Sequence, residues 1–360
     1  MPRFLIFSFL LFSATAFAEQ SLRLNLVGDM MLGTDFPENV LADDDGVSLL
    51  REVAPLLREA DITFGNLEGV LMDEGEPDKS CNIPENCYLF RTPRHYVDYL
   101  REAGFDVVSL ANNHARDFGE AGLRSTIETL NAAGIRHSGP HGDVASWEVR
   151  GRKVALIAFA PFIGSHDMLD EDRARELVAE LSRTHDIVLV SVHAGAEGPQ
   201  AMHLPFAREF YHGEDRGDVD RFARAVIDAG ADLVVGHGPH VPRALDLYRG
   251  RLIAYSLGNF CTFWGISVEE ERGLAPILTV ELDAEGRFLR GRLVSALQVR
   301  PEGPALDPKH RAARMIARLT QADFPASSLS ISDTGQIRLQ APRLSKASLP
   351  QEMNSRQPGF

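Results

Sequence analysis

The sequence predicts an α/β protein built in layers of helix and sheet. Three observations lead there. Short apolar runs of strand length alternate with longer runs of helical spacing up to about residue 300. Turn residues, chiefly Gly and Asn, separate these runs. The composition, 44% hydrophobic and 24% charged, is that of a chain able to bury a core.

In chain order, residues 22–27 form the first apolar strand, which stops at Gly28-Asp29. Residues 47–60 have helical spacing, and 61–64 return as a strand before Gly65-Asn66-Leu67-Glu68. A helix is expected over 94–103, then a strand over 105–110 running into Ala111-Asn112-Asn113-His114. The helix expected over 120–133 meets Gly134, which suits the left-handed turn that closes helices. Residues 144–149 and 153–160 flank Arg150-Gly151-Arg152 as a hairpin. A charged amphipathic helix over 168–184 precedes a buried strand, 187–192, ending at His193. Next come a helix over 219–229 and a strand over 233–235 ending at Gly236-His237. Residues 244–248 with 251–256, and 277–282 with 287–298, make two more hairpins. The pattern then weakens, with one helix expected over 308–321. No internal repeat is visible.

The ends of the chain carry their own signals. Met1 to Arg3 is short and basic, residues 4–12 are apolar apart from Ser8, and Ala16-Phe17-Ala18 has small residues where a signal peptidase reads. This predicts a signal peptide over 1–18, cleaved after Ala18, with no transmembrane anchor afterwards and a periplasmic or extracellular destination. One α/β domain is expected over 19–300, an extension over 301–340, and a Pro-, Ser- and Gln-rich disordered tail over 341–360. There are three cysteines. In an oxidising compartment Cys81 and Cys87, which bracket a short loop, are expected to pair, while Cys261 lies in an apolar run and reads as a small buried hydrophobe. The net charge of −14 argues against nucleic acid and against an anionic membrane surface. It does not exclude an anionic substrate, because a bound metal can dominate the local field.

The polar residues at the strand ends carry the chemistry. Asp29, Asn66 with Glu68, Asn112 with Asn113 and His114, His193, and His237 with His240 each follow an apolar strand. Loops outside the carboxyl ends of such strands bring distant residues into one cluster. Asp, Glu, Asn and neutral imidazole form a mixed oxygen and nitrogen set suited to Mn, Zn or Fe. Glycine before Asp29, Asn66 and His237 is expected to let the backbone turn tightly there. Singly, each residue also fits a plainer role: a turn cap for Asp29, an ion pair for Glu68, turns for the asparagines, core positions for the histidines. Their shared placement favours a metal site. Glu197 reads as a pocket acid or a surface charge, and His203, His212, Glu214 and Asp215 as a solvated loop or, alternatively, as lining of the pocket. No phosphate-binding glycine loop, Cys-x-x-Cys pair or nucleophile elbow occurs.

Taken in order, Gly28-Asp29, Asn66-Leu67-Glu68, Asn112-Asn113-His114 with Asp117, His193 with Glu197, Gly236-His237 with His240, and Tyr255 to Phe260 resemble the capsule-synthesis protein A (CapA) family. That family is associated with bacterial poly-γ-glutamate synthesis, and the resemblance covers residues 22–299. It is similar in turn to calcineurin-like metallophosphoesterases, which implies a four-layer sandwich: a central β-sandwich flanked by helices. The resemblance implies metal ligands at Asp29, Glu68, Asn113, His193, His237 and His240, holding one or two ions, with His114 protonating a leaving group. Asn112, Glu197 and Asn259 are expected to touch substrate. The substrate implied is an anionic polymer such as poly-γ-glutamate, or else a small phosphoester, with envelope polymer-synthesis proteins as partners. One departure stands out: Met31 occupies a position where metallophosphoesterases carry His, and a thioether cannot replace imidazole for a hard or borderline cation. Two rival readings follow, a non-catalytic component of a synthesis complex and a phosphoesterase unrelated to capsule.

Overall fold

The computed structural model describes residues 21–79 and 87–340. The expected signal peptide, Cys81 with its expected bond to Cys87, and the tail 341–360 lie outside the described residues.

Four parallel strands open the chain: β1 (Leu22–Met31), β2 (Ile62–Leu67), β3 (Val107–Ser109) and β4 (Arg136–Ser138). Two helices interleave with them, α1 (Val97–Ala103) and α2 (Gly119–Ala133). The middle of the chain builds a second sheet. It comprises β5 (Ala145–Val149), β6 (Arg152–Ala160), β7 (Ile187–His193), β8 (Leu233–His237), β9 (Leu245–Tyr248) and β10 (Arg251–Ala254), in the spatial order β9-β10-β8-β7-β6-β5. Helices α3 (Glu171–Ser182) and α4 (Val219–Asp228) belong to this half, and Asp170 and Asp218 cap them by accepting backbone N–H groups. The chain then returns to the first sheet. β11 (Asn259–Thr262) pairs with the end of β1, and β12 (Ile277–Leu282) with its beginning, both on the edge opposite β2.

β1 is a central strand buried on both faces. Leu22, Leu24 and Leu26 point into the space between the sheets, where they meet Phe64, Val154, Leu156 and Leu189. Val27 and Met30 share the opposite face with Leu57, Leu100 and Leu130. A third cluster joins Val178, Phe222 and Val226 to Val188, Val190 and Val234 on the outer face of the second sheet. The layers therefore run helix, sheet, sheet, helix, the four-layer sandwich expected. Alternation of inward and outward side chains along each strand sets this order.

Two hairpins form as expected. Arg150 (φ 51°) with Gly151 (φ 72°), and Arg249 (φ 50°) with Gly250 (φ 78°), place both central residues in the left-handed region that two-residue hairpin turns require.

Three expectations need correction. The helix expected over 47–60 is helical only over Ala54–Leu57, preceded by turns closed three residues apart, such as Leu49 N–H to Gly46 O and Arg51 N–H to Ser48 O. Pro55, in the first turn of that helix, has no N–H to give the Arg51 carbonyl, so the helix does not extend back through it. The last expected strand, 287–298, is two strands, β13 (Phe288–Val294) against β12 and a separate piece over Ala296–Val299. The segment after residue 300 is more ordered than its sequence suggests. α5 (Arg311–Asp323) sends Ala313 and Ile316 into the inter-sheet core, and β14 (Leu329–Ile331) with β15 (Gln336–Leu339) extends the first sheet beyond β13.

Candidate metal centre

The carboxyl ends of β1, β2, β7 and β8 meet across the gap between the sheets. Asp29 ends up between Asn66 of β2 and Asn259 of β11, its register partners on either side. Glu68 follows directly after β2. The glycines act here through space rather than through turning: Gly28 and Gly236 do not have positive φ. A Cβ on Gly28 would lie 1.9 Å from Gly258 O, and one on Gly236 would lie 2.1 Å from Tyr255 O. Glycine lets neighbouring strands close up just before each polar side chain.

His193 and His237 are register partners in β7 and β8, and both are fully buried. His240 follows on a loop, in the left-handed region at φ 55°. Its Nδ1 lies 3.1 Å from Asp29 Oδ2 and 3.0 Å from Asn259 Oδ1, and its Nε2 lies 3.7 Å from Glu68 Oε1. His193 Nε2 is 4.0 Å from Glu68 Oε1, and His237 Nδ1 is 3.4 Å from Asp29 Oδ1 without hydrogen-bond geometry. One ligand atom each from Asp29, Glu68 and His193 lies within 4.8 Å of the others.

The cluster is under-satisfied for a buried site. Both Glu68 carboxylate oxygens, His193 Nε2, both His237 ring nitrogens and Asn113 Oδ1 are buried without a hydrogen-bond partner. A buried donor or acceptor left unpaired costs on the order of 1–3 kcal/mol, so the five such atoms on Glu68, His193 and His237 call for an occupant. Burial raises the Glu68 pKa and lowers that of His193 well below its usual value. Burial would raise Asp29 too, yet His237 and His240 hold it well below the carboxylate range. Burial opposes charge on His240, but the carboxylates Glu68, Asp29 and Glu197 drive its pKa upward. The negative field that attracts a proton to His240 would equally attract a metal cation, and the donor set of carboxylate and imidazole fits a divalent transition ion.

Around the cluster, Asn112 Nδ2 donates to Asn66 Oδ1 (3.1 Å), and Asn66 Nδ2 donates to Asp29 Oδ1 (2.9 Å) and lies 3.2 Å from His193 Nδ1. Asn112 is thus committed to aligning Asn66. Asn259 is likewise committed: its Nδ2 donates to the carbonyls of His240, Ser267 and Arg272, and its Oδ1 faces His240. Both side chains are buried, Asn112 against Asn66 and Asn259 against His240, where substrate contact was expected. Glu197 lies 3.9 Å from His240 Nε2 and pairs with Arg216 at 3.0 Å. His114 Nδ1 is held 2.7 Å from Asp117 Oδ2, and Lys79 Nζ donates to Asp117 Oδ1 (2.7 Å). Phe90 lies against the His114 ring at 4.2 Å between centroids. Met31 packs with Phe90 and Ile266 in an apolar cluster.

A cavity of about 620 Å³ opens beside Asn112 and Asn113, between the start of α2 and residues 161–165. Glu214 and Asp215 line it, paired with Arg216 and Arg208. His203 is held by Asp323. Sequence reasoning placed Asn66 in a strand-end motif without giving it a role, and it missed Lys79 and Arg216, which carried no signal.

The family described as bacterial capsule synthesis protein PGA_cap matches residues 23–263. The chain is 28% identical over 262 residues to the capsule biosynthesis protein CapA of Bacillus anthracis, covering 67% of this chain and 60% of that one. It is 28% identical over 264 residues to the PGA biosynthesis protein CapA of Bacillus subtilis, covering 68% of this chain and 64% of that one. It thus spans less than two thirds of the length of either. Among solved structures, the 5′-nucleotidase precursor of Thermus thermophilus aligns with a TM-score of 0.43 and 15% identity, over 84% of this chain and 59% of that one. By the match over residues 23–263, the chain belongs to the bacterial capsule synthesis protein family PGA_cap.

Proposed function

We propose that this chain is an exported metal-dependent hydrolase acting on poly-γ-glutamate or a related envelope polymer. The observation that carries the proposal is the set of buried, unpartnered ligand atoms on Glu68, His193 and His237. Asp29, Glu68, His193, His237 and His240 are the residues that would hold Mn, Zn or Fe, with Asn113 as a further oxygen donor. When bound, such an ion lowers the pKa of a water and polarises the bond under attack.

The chain's own groups do the rest. Asn66 and Asn259 fix the Asp29 carboxylate and the His240 ring, so the ligands are oriented before substrate arrives. Asp117 engages His114 Nδ1, which leaves Nε2 as the nitrogen that gives a proton to the leaving group. Lys79 holds Asp117 in place. Burial lowers the His114 pKa while Asp117 opposes that fall. Export rests on the pattern of residues 1–18, and the anionic polymer on the capsule names of the relatives.

The test is metal analysis of the purified chain, followed by hydrolysis assays on a γ-linked glutamate oligomer and on a generic phosphoester. His114→Asn is expected to lower turnover by about 10²–10⁴-fold while leaving metal content unchanged. No bound transition metal, or full turnover in His114→Asn, sinks the reading. Met31 favours a second reading, a non-catalytic component of a polymer-synthesis complex, because its apolar packing removes one metal donor. That reading predicts bound metal without turnover of either substrate.

A further inference from the structure

The cations around the site have partners, with one exception. Lys79 is taken by Asp117, Arg116 by Glu120, Arg216 by Glu197 and Glu214, and Arg243 by Glu209. Arg272 is half-buried, and among the described residues no carboxylate or carbonyl engages its guanidinium.

Its placement is built in. The Arg272 carbonyl accepts from Asn259 Nδ2 (3.1 Å) and from Gln298 Nε2 (3.2 Å). The main chain of Arg272 is therefore tied to the same amide that aligns His240. The guanidinium end lies over the turn at Gly198, with Nη2 3.3 Å from where a Cβ on that glycine would sit. Gly198 in turn donates its N–H to Pro239 O (2.9 Å), one residue before His240. Glu197, on the same turn, is already bound to Arg216.

A partly desolvated guanidinium without a counter-ion is unfavourable, and its planar fork matches a carboxylate or a phosphate. We propose that Arg272 anchors the substrate by gripping one of its oxyanion groups beside His240, outside the ligand cluster. The group is a carboxylate of a γ-linked glutamyl chain or a phosphate. The inference rests on the reading of the cluster as a substrate site.

Calorimetric titration of the full chain with a short γ-linked glutamate oligomer, and separately with inorganic phosphate, tests it. Arg272→Gln is expected to weaken binding by about ten- to a hundredfold. Arg272→Lys, which keeps the charge and loses the fork, should fall between, and Arg338→Gln on exposed β15 should bind as the wild type does. Loss confined to the oligomer supports a carboxylate anchor, and loss confined to phosphate supports a phosphate anchor. Equal affinity of Arg272→Gln and wild type for both probes, or no binding of either to wild type, overturns the proposal. Metal content is measured on the same samples. Wild type without metal but with Arg272-dependent binding keeps the anchor and removes the hydrolase reading; metal with no Arg272 dependence does the reverse.

Discussion

At the scale of single residues, the centre is defined by what each side chain lacks. His237 has no hydrogen bond at either ring nitrogen, although it is fully buried. A core histidine kept for packing would have its nitrogens satisfied. His237→Ala is expected to reduce bound metal at least about tenfold, read by elemental analysis after dialysis, since losing one of four or five ligands weakens a site by that order or more. Retention of full metal content would remove His237 from the ligand set. In the proposed centre, Met31 would limit the number of ions. Packed with Phe90 and Ile266, it offers no donor that borderline cations prefer, so one equivalent per chain is expected. Met31→His should raise the stoichiometry towards two, and two equivalents in the wild type would contradict this account.

At the scale of elements, hydrogen bonds at the start of α5 give a pH-dependent contribution that is separate from the site. Asp307 Oδ2 accepts from the Arg311 N–H (2.8 Å) and from Arg311 Nε (3.0 Å), and Oδ1 accepts from the Lys309 N–H (3.1 Å). Burial would raise the Asp307 pKa, but these bonds hold it at about 2. A carboxylate depressed in the folded state stabilises fully above its unfolded pKa of about 4, and that stabilisation fades as pH falls towards 2. Asp307→Ala is therefore expected to cost about 1–2 kcal/mol at pH 7 and progressively less below pH 4, measured by denaturant melts. A pH-independent difference would refute the linkage. The elements also show what the sequence could and could not reveal. Asp29, Glu68, His193 and His237 were legible because each interrupts or ends an apolar run. Asp117 appeared in the sequence as part of a motif, but its contact with Lys79 depends on a loop that no periodicity describes. The misread helix over 47–60 shows the limit of spacing: Leu49, Leu50, Val53 and Leu57 all reach the core, yet turns and Pro55 bring them there. β14 and β15 were missed because they are short and largely exposed.

At the scale of the whole molecule, an ion held by the proposed ligands would fasten one sheet to the other. Asp29 and Glu68 come from the first, and His193 and His237 from the second. A ligand that binds the folded chain alone raises its stability by mass action, about 2.7 kcal/mol at a hundred times its dissociation constant. Removing metal with a chelator is thus expected to lower the melting temperature by several degrees, with restoration on adding Mn, Zn or Fe. His237→Ala should melt at the same temperature with and without chelator. A chelator effect of equal size in that variant would mean the ion stabilises some other part of the chain.

The pairing of β1 also sets a timetable. On one edge this strand meets β2, made soon afterwards, but on the other Leu22 faces Leu282 and Leu26 faces Leu278. Half of its ladder waits for the last third of the chain, and contacts so distant along a polypeptide form slowly. Asp29 is held from that late side too, its N–H donating to Gly258 O (2.9 Å). During synthesis, the first residue of the site to be made is among the last to be fixed. A partly made chain therefore lacks the finished pocket, and an ion taken up by the proposed ligands would bind only after residues 277–282 are made.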